Sequence, residues 1–157
     1  MTRSTSTRRR FLQSAAAGTG VVALAGCTDD GAAGDDDVPE RIDDFLSDAQ
    51  LYDGTIVDAT DESTVVIAVG AGGAGLAFDP PAVRVDAGAT VRWEWTGDGG
   101  AHNVSSADQS DDEFRSGDEV TSSTETFEQS FDAGTIQLYA CEPHDMSGQR
   151  GGIEVVE

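Results

Sequence analysis

The chain has 157 residues, of which 30 are acidic and nine are basic, and its formal net charge at pH 7 is −21. This charge opposes binding to the phosphates of nucleic acid, and the length suffices for one domain with one core. Because the acidic residues are spread from residue 29 to residue 157, they favour a solvent of concentrated salt, where charges are screened within about 3 Å, over an acidic face for one basic partner.

The first predicted element is an export signal over residues 1–26. Arg8-Arg9-Arg10 precede Phe11-Leu12 and a small, apolar run over residues 14–25. That run is shorter than the about 20 residues of a membrane span. Paired arginines before Phe-Leu resemble a twin-arginine signal, so we expect the folded protein to be exported by that pathway.

The end of this signal predicts a lipid anchor. Leu24-Ala25-Gly26-Cys27 resembles a lipobox, in which cleavage leaves Cys27 as a lipid-bearing N-terminus of the mature chain. The alternative is that Cys27 is an ordinary residue of a cleaved peptide, but a free thiol in an exported protein would be reactive. Cys27 begins the segment 27–38. The rest of this segment is rich in Asp, Gly and Ala and predicts an acidic, disordered linker. We therefore expect a protein tethered to the lipid membrane on its extracytoplasmic face.

The folded domain is predicted over residues 39–157 and begins with a short outer helix. Ile42, Phe45, Leu46 and Ala49 recur at helical spacing after Pro39, which suits a first turn. Short strands follow, separated by Gly, Asp, Pro or Ser. They are predicted at Thr55–Ala59, Thr64–Val69, Ala82–Asp86, Thr90–Thr96, Thr124–Phe131, Thr135–Cys141 and Gly151–Val156. This pattern predicts an all-β sandwich.

One glycine-rich stretch needs an explanation. Residues 70–75 formally match the dinucleotide-binding fingerprint after an apolar, strand-like run. The following residues 76–81 include Pro80 and Pro81 and cannot open the helix whose N-terminus would hold a pyrophosphate. We interpret the stretch as a turn between strands.

The clearest chemistry lies in Cys141-Glu142-Pro143-His144. A thiol and an imidazole three residues apart, on a tight turn after a strand, can bind one metal ion together. Thiolate with imidazole suits copper or zinc, and two His with one Cys and a weak axial ligand form a blue-copper electron-transfer site. The chain has two histidines, His102 and His144, and one other cysteine, Cys27. The alternatives are that Cys141 is a small buried residue and that His102 is an ordinary surface or core histidine.

Several separated motifs occur in the order found in one family: Tyr52-Asp53-Gly54-Thr55, Phe78-Asp79-Pro80-Pro81, Trp93-Glu94-Trp95, Gly99-Gly100-Ala101-His102-Asn103-Val104 and Cys141-Glu142-Pro143-His144. In these motifs residues 40–157 resemble the halocyanins, plastocyanin-like cupredoxins of salt-loving archaea. The resemblance implies a cupredoxin-like Greek-key β-sandwich with one copper ion at one end. It also implies that His102, Cys141 and His144 are the equatorial ligands, with the ring edge of His144 exposed among apolar residues.

The axial position departs from the family pattern. The plastocyanin-like loop places a methionine five residues after the second histidine, and this chain has Gln149 there. Met146 stands only two residues after His144, where the tight turn hinders it from reaching the axial side. A glutamine oxygen is a known axial donor, so we expect Gln149 rather than Met146 or no axial ligand. Asn103, beside His102, is expected to hold the site together through hydrogen bonds.

These residues predict a carrier rather than an enzyme. A copper ion with these ligands has no strong open position for a substrate, and both histidines are already used, so no nucleophile and base pair remains. We expect a monomeric electron carrier that passes single electrons between unidentified respiratory complexes of the membrane. The alternative is a module that stores or delivers copper without carrying electrons.

Overall fold

The computed structural model describes residues 37–157. The predicted signal peptide, Cys27 and most of the predicted linker lie outside the described residues. The elements are α1 (Glu40–Leu46), β1 (Val57–Asp58), β2 (Thr64–Ala71), β3 (Ala77–Asp79), β4 (Ala82–Asp86), β5 (Thr90–Trp95), β6 (Ser105–Ser106), β7 (Thr126–Gln129), β8 (Thr135–Ala140), a 3-10 turn (Glu142–Ser147) and β9 (Arg150–Val156). Within this range no helix has the length and apolar character that a membrane crossing needs.

The strands form two sheets that share one core. One sheet has the order β1-β4-β9-β8-β6, and the other has the order β3-β2-β5-β7. β4 pairs with β9 and β2 pairs with β5 in parallel, which requires connections that leave one sheet and return. The core cluster takes residues from both sheets, for example Val85 and Ile153 from one and Ile67 and Val91 from the other. The predicted all-β sandwich is confirmed.

Apolar and polar residues alternate along β5, and the apolar ones face the other sheet. Val91, Trp93 and Trp95 are buried, whereas Arg92 and Glu94 between them are partly exposed. The Trp93 ring stands edge to face against Tyr139 of the other sheet, with 5.3 Å between ring centroids. Buried aromatic pairs of this geometry stabilise a core beyond their area alone.

The predicted elements differ from the observed ones mainly at their ends. β4 has its predicted bounds, while the segment predicted as Thr124–Phe131 pairs only over β7. β3 and β6 were not predicted, because two or three residues are too short to show an alternating pattern. The helix ends at Leu46 rather than Ala49, and it buries Ile42 and Leu46 in a second, smaller core cluster.

The glycine-rich stretch is part of a hairpin, as the sequence predicted. β3 pairs antiparallel with β2, and no helix follows within the described residues up to β4. Its last glycine lies against a second glycine loop, since a Cβ added to Gly99 would stand 1.9 Å from the Gly75 carbonyl oxygen. Two backbones therefore touch directly, just before the chain reaches His102.

We expect Gly99→Ala to destabilise the fold far more than Gly88→Ala. Both glycines have a left-handed backbone, with φ of +81° and +79°, but an added Cβ at Gly88 meets nothing within 4 Å. The Gly88 variant should lose about 1 kcal/mol of the free energy of unfolding through backbone strain alone. The Gly99 variant should lose about 2 to 4 kcal/mol more, because the added methyl group forces the loops apart. Equilibrium denaturation at constant salt measures both, and equal losses would contradict a tight contact.

Candidate metal centre

Three predicted ligands from two sheets converge at one end of the sandwich. Cys141 follows β8, His144 lies in the 3-10 turn, and His102 comes from the loop after β5. The Cys141 Sγ atom is 3.7 Å from His102 Nδ1 and 3.4 Å from His144 Nδ1, and the two Nδ1 atoms are 3.2 Å apart. Cys141 and His102 are buried, while His144 is partly exposed.

These separations fit a single transition-metal ion. Thiolate sulfur and imidazole nitrogen lie about 2.3 and 2.0 Å from the metal in zinc proteins, and copper is a first-row ion of similar size. Two such nitrogens at an angle of about 105° stand roughly 3.2 Å apart, and a sulfur and a nitrogen at about 105 to 120° stand roughly 3.4 to 3.7 Å apart. The three donor atoms therefore already have the spacing of a coordination sphere.

The side chain of Gln149 completes the cluster. It is fully buried, and its Oε1 atom is 2.9 Å from His102 Nδ1 and 3.1 Å from His144 Nδ1. Its Nε2 atom makes a long hydrogen bond, 3.5 Å, to the Ala77 carbonyl, which is consistent with the oxygen facing the imidazoles. An oxygen about 2.2 Å from an ion, perpendicular to the plane of its other ligands, stands roughly 3.0 Å from each nitrogen. Gln149 thus lies where its side-chain oxygen could serve as a fourth donor to an ion held by the two imidazoles.

Hydrogen bonding shows why this cluster calls for a cation. His102 Nε2 donates to the Asp98 carbonyl at 2.7 Å, so in the neutral ring Nδ1 carries a lone pair. That lone pair faces the Gln149 oxygen, which is also an electron-pair donor. The two atoms repel each other unless a positive charge lies between them. Donation from the outer imidazole nitrogen to a carbonyl is the arrangement that orients metal-bound histidines.

Met146 lies outside this cluster. Its side chain is 94% exposed, whereas two of the three predicted equatorial ligands and Gln149 are buried. The structure therefore offers Gln149, and not Met146, to an ion at the centre. The separation follows from the turn, since Met146 is in the 3-10 segment whose outer side faces solvent.

The ligand loop, residues 141–149, is closed by its own backbone. The His144 amide donates to the Cys141 carbonyl at 3.0 Å, the Gln149 amide donates to the His144 carbonyl at 3.2 Å, and the Cys141 amide donates to the Gln149 carbonyl at 3.0 Å. Gly148 ends the turn in a left-handed conformation with φ of +82°. Three donor side chains are thus held on one short hydrogen-bonded ring of backbone.

His102 is held from its other side by residues to which the sequence analysis gave no role at the metal centre. The Trp95 indole donates to the His102 carbonyl at 3.0 Å, and His102 exchanges backbone hydrogen bonds with Val120. A Cβ on Gly70 would stand 2.6 Å from the Asp98 carbonyl oxygen and 3.1 Å from His102 Nε2. Glycine at position 70 therefore leaves room for the carbonyl that orients the imidazole. Its position in the glycine-rich stretch was the only sequence signal.

Asn103 joins the His102 loop to the ligand loop. Its Oδ1 atom accepts from the Glu142 amide at 3.0 Å, and its Nδ2 atom donates to the Glu142 carboxylate and, at 3.4 Å, to the Gly117 carbonyl. Arg115 binds the same carboxylate, with Nη2 to Oε2 at 2.6 Å. The hydrogen bonds from Arg115 and then from Asn103 lower the pKa of Glu142. Arg115 and Glu142 could not be identified from the sequence, because such a pair carries no motif.

The environment of the thiol also favours a metal ion. Burial raises the pKa of Cys141, and hydrogen bonds from the backbone amides of Asn103 and His144 only partly offset that effect. A buried thiolate requires nearby positive charge. A metal ion at the centre of the four donors would supply it and hold the sulfur deprotonated.

Comparison with known proteins identifies the family to which this chain is related. The family model for copper binding proteins of the plastocyanin/azurin family matches residues 65–156. The chain is 48% identical to the halocyanin of Natronomonas pharaonis over 158 aligned residues, covering 94% of this chain and 96% of that protein. It is 32% identical to the plastocyanin of Scenedesmus fuscus over 100 residues, covering 58% of this chain and 98% of that protein.

Among solved structures, the oxidised plastocyanin of Dryopteris crassirhizoma aligns with a TM-score of 0.49 and 17% identity, over 58% of this chain and 99% of that one. A purple cupredoxin from Nitrosopumilus maritimus aligns with a TM-score of 0.42 and 22% identity, over 58% and 98% of the two chains. The sequence matches establish the relationship. The chain belongs to the plastocyanin/azurin family of copper-binding proteins, and copper is its cofactor.

Proposed function

We propose that this domain is a carrier of single electrons whose copper is held by Cys141, His102 and His144, with the Gln149 oxygen as axial ligand. The observation that carries the proposal is the convergence of these four donor atoms in a cluster that is buried except at His144. When bound, copper supplies reversible exchange between Cu(II) and Cu(I). The protein supplies the donors, their fixed spacing and the exclusion of water.

The surroundings of the site favour electron transfer over substrate chemistry. Gln149 fills the fourth position, and the closed ligand loop limits how far the donors can move between the two oxidation states. A site that changes little on reduction suits rapid one-electron exchange. Three buried donors also argue for retention of the metal, which weakens the alternative of a module that stores or delivers copper.

His144 is the proposed route for the electron. It is the only partly exposed residue among the four proposed ligands. Two exposed apolar residues are tied to the ligand loop. Met146, two residues after His144, is 94% exposed, and Leu51, 50% exposed, follows Gln50, whose amide donates to the Gly148 carbonyl. These side chains support docking of an electron-transfer partner by apolar contact. At high salt such contact outweighs long-range charge steering.

The setting that we propose rests on the N-terminal sequence. The twin-arginine pattern and the lipobox at Cys27 support export, lipid anchoring and a place on the extracytoplasmic face of the cell membrane. A monomer tethered in this way would exchange electrons with respiratory complexes in the same membrane.

We expect the full chain, loaded with Cu(II) in concentrated salt, to show an intense visible absorption that bleaches reversibly on reduction. Cys141→Ser should lose this absorption, because the thiolate is the donor that gives it. Cys27→Ser is the matched control and should keep the full intensity. Visible absorption and electron paramagnetic resonance spectra are the measurements. A colourless wild type, or a blue Cys141 variant, would contradict the proposed site.

The axial assignment predicts a shift in reduction potential. Gln149→Met should raise the potential by at least about 60 mV, which is a tenfold change in the relative affinity for the two oxidation states of a one-electron couple. The reason is that a thioether is a softer donor than an amide oxygen and favours Cu(I). Voltammetry measures the shift, and Met146→Leu is the control that should leave the potential unchanged. An unshifted Gln149 variant would remove this residue from the coordination sphere.

A further inference from the structure

A segment that precedes the copper-binding family region lies directly against the ligand loop. The family match begins at residue 65, and the described residues before it contain α1 and the turn that follows. We call Ser47–Tyr52 the strap. It follows α1 and contacts the ligand loop at Ser147 and Gly148.

The strap and the loop are joined by one backbone hydrogen bond, one side-chain hydrogen bond and a close backbone contact. The Gln50 amide donates to the Gly148 carbonyl at 2.8 Å, and the Gln50 side-chain amide donates to the Ser147 carbonyl at 3.1 Å. A Cβ added to Gly148 would stand 2.5 Å from the Asp48 carbonyl oxygen. The strap therefore packs on the bare Cα of Gly148 and leaves that residue no room to move outward.

The strap is itself fixed at both ends. At its start, Ile42 and Leu46 of α1 are fully buried in the smaller core cluster. At its end, the Tyr52 hydroxyl donates to Asp43 of the same helix at 2.6 Å. Between these anchors, Leu51 has a positive φ of 65°, which a leucine adopts only where the surrounding structure imposes it. The strap is thus a closed and constrained loop rather than a loose connection.

The contact reaches the metal centre through one peptide bond. Gly148 is followed by Gln149, whose side-chain oxygen faces both imidazoles and whose carbonyl accepts from the Cys141 amide. A displacement of Gly148 would carry both of these groups with it. The strap consequently restrains the proposed axial donor and the backbone of the thiolate ligand at once.

We propose that the strap positions the ligand loop, with Gln50 as the positioning residue that keeps the Gln149 oxygen at the metal centre and slows the loss of copper. The inference rests on the ligand role of Gln149 proposed above. The physical reason is preorganisation, since a loop held in its binding conformation needs no further ordering when the ion enters. Releasing the strap should weaken axial donation without removing any ligand.

The first test uses the metal-free full chain. Hydrogen exchange at the Cys141 and Gln149 amides should become about fivefold faster in Gln50→Ala, which is the effect expected from losing one hydrogen bond. Gln50→Pro, which also removes the backbone donor, should increase exchange further. Gln129→Ala is the matched control. Gln129 lies on β7, in the sheet that does not carry the ligand loop, and its side-chain amide donates to the carbonyl of the next residue, Ser130. Unchanged exchange in a folded Gln50→Ala protein would overturn the proposal, even if the proline variant does not fold.

The second test separates positioning from a general loss of stability. Gln50→Ala should raise the reduction potential and speed the release of copper to a chelator about fivefold, whereas in a Gln149→Ala background it should leave the potential unchanged. Equal shifts of potential in both backgrounds would overturn the proposed route through Gln149. If the wild type forms no reversible copper couple, the proposed function fails, and the exchange experiment still decides whether the strap holds the loop.

Discussion

The lone pair on His102 Nδ1 and the side-chain oxygen of Gln149 face each other at 2.9 Å inside this domain, and a cation bound between them would relieve their repulsion. Nearly every local feature at this end of the sandwich keeps these atoms together despite that repulsion. The Asp98 carbonyl fixes the tautomer of His102, the Ala77 carbonyl accepts a long hydrogen bond from Gln149, and Asn103 ties the two loops to each other. The protein thus bears the cost of crowding its ligands during folding, before any metal binds.

The centre also depends on closure of the sandwich. His102 follows a strand of one sheet, whereas Cys141, His144 and Gln149 lie between two strands of the other. An ion bound to all of them links the two sheets as a cross-link would. Since the unfolded chain has no such preformed site, affinity for the metal and stability of the fold are coupled, and binding should stabilise the native state.

The sequence was most informative where the signal lies in residues close together along the chain, such as a ligand motif or the alternation of apolar and polar residues in a strand. The Cys-x-x-His spacing, the presence of only two histidines and the pattern of β5 predicted the residues that converge and the sandwich that carries them. Gln149 could be proposed because it stands at the offset where the plastocyanin-like loop has its axial methionine. The sequence could not predict partners that meet through the fold. Arg115 reaches Glu142 and Gln50 reaches Gly148 across long stretches of chain, and neither pair leaves a periodic or motif signal.

The contact between Gly75 and Gly99 has a consequence for exchanging parts of this domain with its relatives. Each of the two loops is shaped to the bare backbone of the other, so neither has an independent optimum. A chimaera that contains only one of the two loops lacks the glycine backbone against which that loop packs. The pair should therefore be transplanted together, as one module made of two distant pieces of sequence.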